Sequence, residues 1–497
     1  MKKIIYAIVL LIFARSADAE NLPVLRWAAD AESNAPYIFQ DPKDPSRLIG
    51  FEVDIVNALA RELKIKPVFV QNQWDGLIPG LARDDYEIAI NGLEITPDRA
   101  DEVEFSLPYY LTHEQLVTLA GETAITDLRS LRGLKAGALK FSLAERILRE
   151  YGGIETLTYE GEVNAFLDMK NARIRAALVD APIAIYYASW NPDYKLVGEP
   201  IGRVTYGIAL RKGNIELRDR INVALRKIRE SGELRLILER WKLWNNKMAE
   251  ALDDYSGKTI EPVNYNKYIA SQSKPKTSRA LVERYIAFLP LLGKAALVTL
   301  GITLISMLLA VVAGLLIAIL RLYAPTPVSF LSAAYIEIIR GTPLLIQLLF
   351  IFYALPTIGI KLPPFIAAVL GLGLNYAAYE AENYRAGIGG VPRGQTEAAL
   401  SLGMSRLQTV RHIVLPQAFR LVIPPITNDF ISLLKDSSLV SVITLVELTK
   451  QYGQLASTYY DYIGTGLLVA AIYLLLGLPF VKLSKLTERY FSVENRK

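Results

Sequence analysis

Side chains able to perform covalent or metal chemistry are scarce in this sequence of 497 residues. It contains no cysteine, which excludes disulfide frameworks, thiolate metal sites and cysteine nucleophiles. Its only histidines, His113 and His412, are too few for a histidine metal cluster. The sequence has no evident nucleophile–base pair and no G-x-x-x-x-G-K-[ST] segment that would bind ATP. We therefore expect no catalytic residue, no metal and no cofactor, which leaves functions based on binding.

The most specific spacing in the chain lies between residues 397 and 416. Glycine tolerates positive φ, so Gly403 predicts a break between two short helices. Such an element can project from a membrane and dock in a groove of a partner; an ordinary basic loop is the alternative. The residues with this spacing are Glu397, Ala398, Ala399, Gly403, Ile413, Leu415 and Pro416.

Long uncharged runs place the C-terminal part of the chain in a bilayer, since roughly 18 apolar residues suffice to span it. A mean hydropathy of +0.25 with 21% charged residues fits a mixture of soluble and membrane parts. The segments predict about five spans, of which the fourth is the least apolar. They are Ala295–Leu320, Gly341–Ile360, Leu362–Tyr379, Phe430–Leu434 with Ser437–Val446, and Tyr462–Val481.

The N-terminal half has a different organisation. Residues 1–19 combine a basic start, a short apolar run and Ala17-Asp18-Ala19, which predicts a signal peptide; an uncleaved anchor is the alternative. Residues 20–245 alternate short apolar strands with amphipathic helices, as α/β domains do. Residues 246–285 are polar and predict a linker, and 286–497 form the membrane domain.

Basic residues predict the orientation. If residues 20–245 lie outside the cytoplasm, the basic segment 390–425 and the basic C terminus fall inside, as the positive-inside rule requires. Glu380 and Glu382 follow the third uncharged run. Because acids within a membrane are costly unless they serve a function, both are candidates to line a membrane cavity. The alternative is a position at the water interface near Arg385.

The segment from Glu397 to Pro416 matches the pattern EAA–x3–G–x9–I–x–LP at every position and resembles the cytoplasmic loop of ABC-importer permeases. Ile339–Gln347 and Ala378–Ile388 resemble polar amino-acid permeases, and the resemblance covers about residues 286–497. It departs at Glu380, where the family usually has a neutral residue. The resemblance implies a separate ABC ATPase, as a dimer, docked on this loop. It also implies a second permease chain, with a second copy favoured over a paralogue.

The outer domain resembles periplasmic binding proteins for polar amino acids over about residues 22–245. Four segments carry the resemblance. The first two match G-F-[DE]-x-D and W-D-x-L-I-P, and the third matches [AS]-[GS]-x-[ST]-x-T-x-x-R. The segments are Ile49–Asp54, Gln73–Pro79, Asn91–Arg99 and Phe105–Tyr109. The expected fold is a two-lobed α/β binding domain followed by an all-α transmembrane permease domain.

This resemblance implies a role for each matching residue. The planar fork of Arg99 would bind the ligand's α-carboxylate, and the backbone N–H of Gly92 would assist. Asp180 would bind the ammonium group, and Phe51 would cover the side chain. Ser142 falls near the family's second-lobe hydroxyl, although Phe141 stands where glycine is usual. Surface pairing with Asp98 or Asp101 is the alternative for Arg99.

Substrate specificity depends on residues that differ from the family pattern. Glu94 replaces the usual Ser or Thr, and Asp30 and Glu32 lie in a first ligand loop about one residue longer than usual. Together they predict an acidic pocket for a cationic side chain, or a hydrogen-bonding one for an amide such as glutamine. Trp74 and Asn91 complete the candidate set, with core packing as the alternative for Trp74.

We therefore expect the substrate-binding and permease subunit of an ABC importer for polar amino acids, either glutamine or basic ones. The ligand would be captured outside by closure of the lobes. An amino-acid-gated channel of the glutamate-receptor type is the alternative, but the sequence lacks a T-V-G-Y-G filter. A membrane-tethered sensor would need a cytoplasmic module, and only a short segment follows the last span. No basic cluster suggests a nucleic-acid partner.

Overall fold

The computed structural model describes residues 22–32, 35–253, 260–272, 277–459 and 461–491. The predicted signal peptide, residues 1–19, lies outside these ranges. The strands of the N-terminal domain are β1 Val24–Ala29, β2 Phe39–Gln40, β3 Leu48–Ile49, β4 Lys66–Gln71, β5 Ile88–Ala89, β6 Val103–Phe105, β7 Tyr110–Leu119, β8 Lys135–Leu139, β9 Glu155–Tyr159, β10 Ala176–Asp180, β11 Tyr194–Tyr206 and β12 Ala209–Arg211. Its helices are α1 Phe51–Leu63, α2 Leu77–Arg83, α3 Pro97–Glu102, α4 Leu143–Tyr151, α5 Glu162–Lys170, α6 Ala181–Ile183, α7 Ile215–Glu230, α8 Glu233–Arg240 and α9 Asn246–Leu252.

Two sheets define two lobes. The first lobe contains the sheet ordered β4-β1-β5-β12-β6, in which β1 runs parallel to β4 and β5. The second lobe contains the sheet ordered β11-β7-β10-β8-β9. Helix α1 covers the first sheet with Phe51, Ile55 and Leu59, a spacing that puts all three on one helix face. Both lobes therefore bury an apolar core between a sheet and its helices.

The chain crosses between the lobes twice, after β6 and after β11. The two crossings lie side by side, because Ser106 N donates to Ile208 O at 2.9 Å. The Ser106 hydroxyl also accepts from Ile208 N at 2.9 Å. A paired crossing of this kind is where a rotation of one lobe against the other would be absorbed.

The segment predicted as a linker, residues 246–285, contains more structure than its polar composition indicates. Helix α9 packs on the start of β7, where Leu111 N donates to the Met248 sulfur at 3.1 Å. Helix α10, Val263–Gln272, buries Tyr265 and Tyr268 against Tyr186 of the second lobe. The prediction missed these helices because each buries only two residues, Met248 and Ala249 in α9 and Tyr265 and Tyr268 in α10.

The C-terminal domain is helical. Its helices are α11 Ser278–Tyr323, α12 Thr326–Gly341, α13 Leu344–Leu349, α14 Pro364–Gly389, α15 Arg393–Ser401, α16 Arg406–Thr409, α17 Leu415–Asp436, α18 Leu448–Tyr459 and α19 Tyr462–Phe491. Among the described residues, two helices are long and apolar enough to span a membrane, Ser278–Tyr323 and Tyr462–Thr487. A third qualifies if the pair Thr326–Gly341 and Leu344–Ile358, bent by 107°, is one span. The count of about five spans stays a prediction.

Two predicted spans differ from the observed helices. The uncharged run Gly341–Ile360 is not one helix: α12 ends at Gly341, and Pro343 precedes a separate helix. The fourth segment begins earlier than predicted, since α17 covers Leu415–Asp436 and Ser437–Ile443 forms a 3-10 turn. Charge-free windows locate these helices imprecisely because α12 and α17 each carry charged residues.

Candidate functional site

A small cavity of about 20 Å³ lies between the two lobes. Tyr37 and Glu162, which the sequence analysis did not single out, also line it, together with Leu139, Ala144, Leu178 and Val179. The predicted ligand residues that line the cavity are Trp74, Asn91, Gly92, Glu94, Ser142 and Asp180.

Arg99 lies beside this cavity and is held by Glu94. Thr96 caps α3, so that Arg99 projects from its first turn. The Arg99 guanidinium forms an ion pair with the Glu94 carboxylate and donates to the Phe141 carbonyl at 2.9 Å. The other Glu94 oxygen accepts from Leu143 N, at the start of α4 in the second lobe, at 3.0 Å. Glu94 thus joins the two lobes, through Arg99 of the first lobe and the backbone of Leu143 in the second.

Three buried carboxylates converge at the cavity. Glu114 and Asp180 are opposite each other in the β7–β10 ladder. Carboxylate oxygens of Glu94, Glu114 and Asp180 lie within 4.8 Å of one another. Tyr37 donates to Asp180 at 3.0 Å, and Tyr206 also donates to it. Such a cluster attracts a cation, either an ammonium or guanidinium group or a metal ion.

Burial controls the charge of these acids. Burial, and after it the neighbouring Glu94 carboxylate, raise the pKa of Asp180 to about 6. Burial raises the pKa of Glu162 to about 8 and that of Glu52 to about 8. Burial and then Asp180 raise the pKa of Glu114 well above its ordinary value. Without a ligand the cleft therefore holds protons near neutral pH.

Other predicted residues organise the loops around the cavity. The Asp30 carboxylate accepts from Trp74 N, Gln71 Nε2 and Glu32 N, each at 3.0 Å. Asn91 Oδ1 accepts from Asp30 N. Asp30 therefore fixes the first ligand loop and does not line the cavity, contrary to its predicted role.

Gly92 also differs from its predicted role. Its φ of +62° and its position 2.9 Å from Tyr37, measured from an ideal Cβ, explain why glycine is needed there. Its N–H donates to buried Glu52 Oε1 at 2.7 Å and not toward a ligand carboxylate. Glu52 is adjacent to Phe51 in the G-F-[DE] segment, which was the signal that could have identified it.

The aromatic residue predicted to cover the ligand, Phe51, does not line the cavity, and Tyr37 does. Phe51 is fully buried in the core, 5.3 Å from the Tyr37 ring between centroids. Tyr37, after Pro36 in the first ligand loop, provides the aromatic surface at the cavity. Ser142 lines the cavity but caps α4, accepting from Glu145 N at 3.2 Å. Phe141 adopts φ +61°, the conformation that the family's usual glycine permits.

Glu32 contacts the permease domain. Its carboxylate forms an ion pair with Lys450 of α18 at 2.8 Å and does not line the cavity. This position differs from its prediction as a ligand residue. No sequence pattern within residues 22–245 pointed to it, because its partner is in another domain.

The segment predicted to couple to a partner forms two helices, α15 and α16, with Gly403 between them at φ +84°. Glu397 and Ala398 are exposed, and Ala399 is buried. Ser405 and Gln408 form a capping box that starts α16. The segment then continues through Ile413, Leu415 and Pro416 into α17.

Exposed leucines flank the glycine of this loop. Leu402 is 85% exposed and Leu407 is 77% exposed. Both side chains are therefore accessible to a partner that approaches the loop at Gly403. Leu402 and Leu407 stand at positions that the motif leaves unspecified, so the motif did not point to them.

The two acids of α14 have different environments. Glu382 forms ion pairs with Arg321 at 2.7 Å and with Arg385. Glu380 is fully buried, and Asn383 donates to it at 3.4 Å and to Asp429 of α17 at 2.8 Å. Glu380 packs against Gly314 of α11, where an added Cβ would lie 2.6 Å from the glutamate Cβ. Of the two acids, Glu380 lies in the interior of the helical domain. Its role in lining a membrane cavity stays a prediction.

Comparisons with known proteins agree with this two-part architecture. Residues 25–243 match the family of bacterial extracellular solute-binding proteins, family 3. Residues 289–491 match the family described as the binding-protein-dependent transport system inner membrane component.

Individual relatives cover one domain each. The putative ABC transporter arginine-binding protein 2 of Escherichia coli (strain K12) is 31% identical over 247 residues, 48% of this chain and 99% of that protein. The L-cystine transport system permease protein TcyB of Bacillus subtilis (strain 168) is 40% identical over 36% of this chain and 76% of its own length. The glutamine transport system permease protein GlnP of E. coli (strain K12) is 34% identical over 41% of this chain and 94% of its own.

A solved structure of an ancestral arginine-binding protein bound to arginine has 32% identity and a TM-score of 0.42, and covers 44% of this chain and 97% of its own. The chain belongs to the amino-acid ABC importers, with the solute-binding and permease domains fused in one polypeptide. It is a membrane transport protein that works with an amino-acid ligand and an ATPase partner. The matches give no support to the channel alternative.

Proposed function

We propose that this chain imports a cationic L-amino acid such as arginine or lysine. The observation that carries the proposal is the convergence of Glu94, Glu114 and Asp180 within 4.8 Å in the cleft. Two of the acids can be balanced by an α-ammonium and a side-chain cation, whereas glutamine supplies only one positive charge. The arginine-binding relative in E. coli supports the same substrate class.

Binding requires an exchange of partners at Arg99. The ligand's α-carboxylate displaces Glu94 from the Arg99 guanidinium, to which it is paired in the empty site. The released Glu94 carboxylate then joins the acids that hold the ligand's cations. A ligand with a second cation gains more from this exchange than a neutral ligand, since an unpaired buried carboxylate is costly.

Calorimetry of the full chain in lipid nanodiscs tests the proposal. We expect wild-type protein to bind L-arginine with a Kd of about 1 μM or lower, about −8 kcal/mol, and L-glutamine more weakly. Glu94→Gln should weaken L-arginine far more than L-glutamine, because it removes the charge and leaves the shape. Equal effects on both ligands, or tight binding of glutamine alone, would refute the cationic substrate. Binding of Ca²⁺ or Mn²⁺ in the absence of amino acids would mean that the cluster is a metal site.

The assembly follows from the fused architecture. Residues 20–245 are placed outside the cytoplasm and the loop at Gly403 inside, with residues 1–19 as the export signal of a plasma-membrane protein. Two copies of the chain would form the pathway, and an ATPase dimer would dock on the α15–α16 loops. The exposed Leu402 and Leu407 support this docking, since they offer apolar surface beside Glu397.

Within the membrane domain, Glu380 is proposed as a residue of the translocation pathway. It is buried next to Asn383 and Asp429, so a cationic substrate would find two carboxylates there. Glu382 is assigned to the ion pairs with Arg321 and Arg385 and not to the pathway.

A further inference from the structure

The ion pair between Glu32 and Lys450 joins the ligand-binding domain to the permease. The Lys450 side chain is 2% exposed, and its Nζ lies 2.8 Å from Glu32 Oε1. A Cβ on Gly453, one turn further along α18, would lie 3.2 Å from the same oxygen. The glutamate therefore enters a fitted position on α18. A lysine buried this deeply needs an anionic partner.

On the permease side, this lysine is part of a network that reaches the long apolar helices. Lys450 N donates to Glu447 Oε1 at 2.8 Å, and Tyr473 of α19 donates to Glu447 Oε2 at 2.9 Å. Leu448 N donates to Thr299 of α11 at 3.2 Å. The start of α18 is thus fixed to α11 and α19, both of which are long enough to span a membrane.

On the binding side, Glu32 belongs to the loop that shapes the cleft. Its backbone N–H donates to Asp30, and Asp30 accepts from the backbone of Trp74, a residue of the cavity. Two hydrogen bonds therefore connect the Glu32 backbone to the ligand site. A displacement of the loop would move Glu32 relative to Lys450.

The lobes contact the permease unequally. The first lobe is held by Arg83, whose guanidinium lies 4.4 Å from the Phe352 ring centroid, and by Tyr459, which donates to Asp41 O at 3.3 Å. The second lobe faces the permease across an open space of about 630 Å³, lined by Phe166, Trp190 and Arg284 among others. The first lobe is thus docked, and the second has room to rotate about the crossings near Ser106.

We propose that Lys450 is a positioning residue that holds the first ligand loop through Glu32, so that the state of the cleft is transmitted to α11 and α19. The inference rests on the proposed import function, in which a loaded cleft must trigger transport. Lys450 does not touch the ligand in this arrangement. Its loss should separate binding from transport and leave affinity intact.

The test uses the full chain with its ATPase in proteoliposomes, with L-arginine as the probe. Glu32→Gln and Lys450→Met should leave the calorimetric affinity for L-arginine within about twofold of wild type. Arginine-stimulated ATP hydrolysis and uptake should both fall about fivefold or more, the lower range of typical coupling effects. Lys361→Met is the matched control, because Lys361 Nζ donates to the Ala82 carbonyl, at 3.5 Å, across the same interface and is no part of the Glu32–Lys450 pair.

The charge-swapped pair, Glu32→Lys with Lys450→Glu, separates an ion pair from a merely structural effect. Recovery of uptake in the double variant beyond either single variant supports the proposal, since only interacting residues compensate each other. Wild-type uptake in both neutralised variants, or a loss of arginine affinity equal to the loss of uptake, would overturn it. If wild-type protein itself failed to import arginine, the proposed function would fail instead.

The contact can also be tested without transport. Because the chain has no cysteine, Glu32→Cys with Lys450→Cys introduces the only thiols. A short thiol-reactive cross-linker should join them in detergent-purified protein, identified by mass spectrometry of the linked peptides. The control combines Asp98→Cys with Lys450→Cys, because the Asp98 side chain is exposed on the first lobe. Equal yields from both pairs, or none from the first, would contradict the docked arrangement.

Discussion

At the scale of single residues, acidic side chains dominate the cleft, and in the part of it that the structure describes only one of them, Glu94, is paired with an arginine. Arg99 faces Glu94, but Glu162 and Asp180 also line the cavity. The Glu114 carboxylate lies within 4.8 Å of those of Glu94 and Asp180. Burial raises the pKa of Glu114, Glu162 and Asp180. A ligand that supplies two cations and one anion would complement this arrangement better than a neutral amino acid.

Arg99→Ala should abolish amino-acid binding. The substitution removes the planar cation expected to hold the ligand carboxylate and leaves Glu94 without its partner. The expected cost is about 2–5 kcal/mol, which is about thirtyfold or more in Kd. Calorimetry of the full chain measures it, with Arg146→Ala as the control, since Arg146 pairs only with exposed Asp98 at 3.8 Å. An unchanged affinity in the Arg99 variant would show that another residue binds the carboxylate.

Affinity for L-arginine should rise with pH between about 6 and 8. In the empty protein Asp180 has a pKa of about 6 and Glu162 about 8, and a bound cation favours their ionised forms. The empty fold binds protons that the unfolded chain releases above about pH 4. The stability from these two raised pKa values is therefore present at low pH and is lost as pH rises through about 8.

Proton release on binding is the measurement. Calorimetry in two buffers of different ionisation enthalpy should show protons leaving near pH 7, and thermal unfolding should show a larger arginine stabilisation at higher pH. Asp180→Asn should remove the part of the pH dependence near 6. An affinity that is constant across this range would mean that these acids do not face the bound cation.

At the scale of secondary-structure elements, the α15–α16 loop depends on one backbone conformation. Gly403→Val should reduce uptake and arginine-stimulated ATPase activity, because a β-branched residue is strained at φ +84°. Amino-acid binding should survive, since the binding cleft and the loop belong to different domains. Gly394→Val is the matched control: a Cβ meets nothing within 4 Å at either glycine, and only Gly403 has positive φ. Wild-type uptake by the Gly403 variant in proteoliposomes with ATP inside would show that this loop does not couple.

Local patterns predicted the elements well and their partners poorly. The positive φ of Gly403 and the position of Trp74 at the cleft follow from short motifs. The ligand contacts predicted for Asp30 and Gly92 are not seen. The Asp30 carboxylate accepts from Trp74 N, and the Gly92 N–H donates to Glu52. Glu114 enters the site through its register with Asp180, which a single sequence does not reveal. The contact of Glu32 with the permease could not be predicted either, because its partner, Lys450, follows more than 400 residues later.

At the scale of the whole molecule, the fusion fixes the ratio of binding domains to permease domains at one to one. A transporter built from two such chains carries two clefts, each near a permease helix that it can contact through Lys450. The docked first lobe and the space beside the second lobe suggest that each cleft opens without leaving the membrane domain. Capture and delivery then become intramolecular steps, which a tether favours through its effective concentration.

The chain should pair with itself. In the assembly proposed above, two permease domains form the pathway, and a fused binding domain in each copy supplies both clefts without a paralogue. Light scattering of the detergent-purified chain, corrected for bound detergent, should give about twice the 55.3 kDa of one full chain, less any cleaved signal peptide. A mixed dimer of differently tagged wild-type and Arg99→Ala chains should bind L-arginine at half the wild-type stoichiometry. A monomeric mass that persists when the ATPase is added would instead require a second, different permease chain.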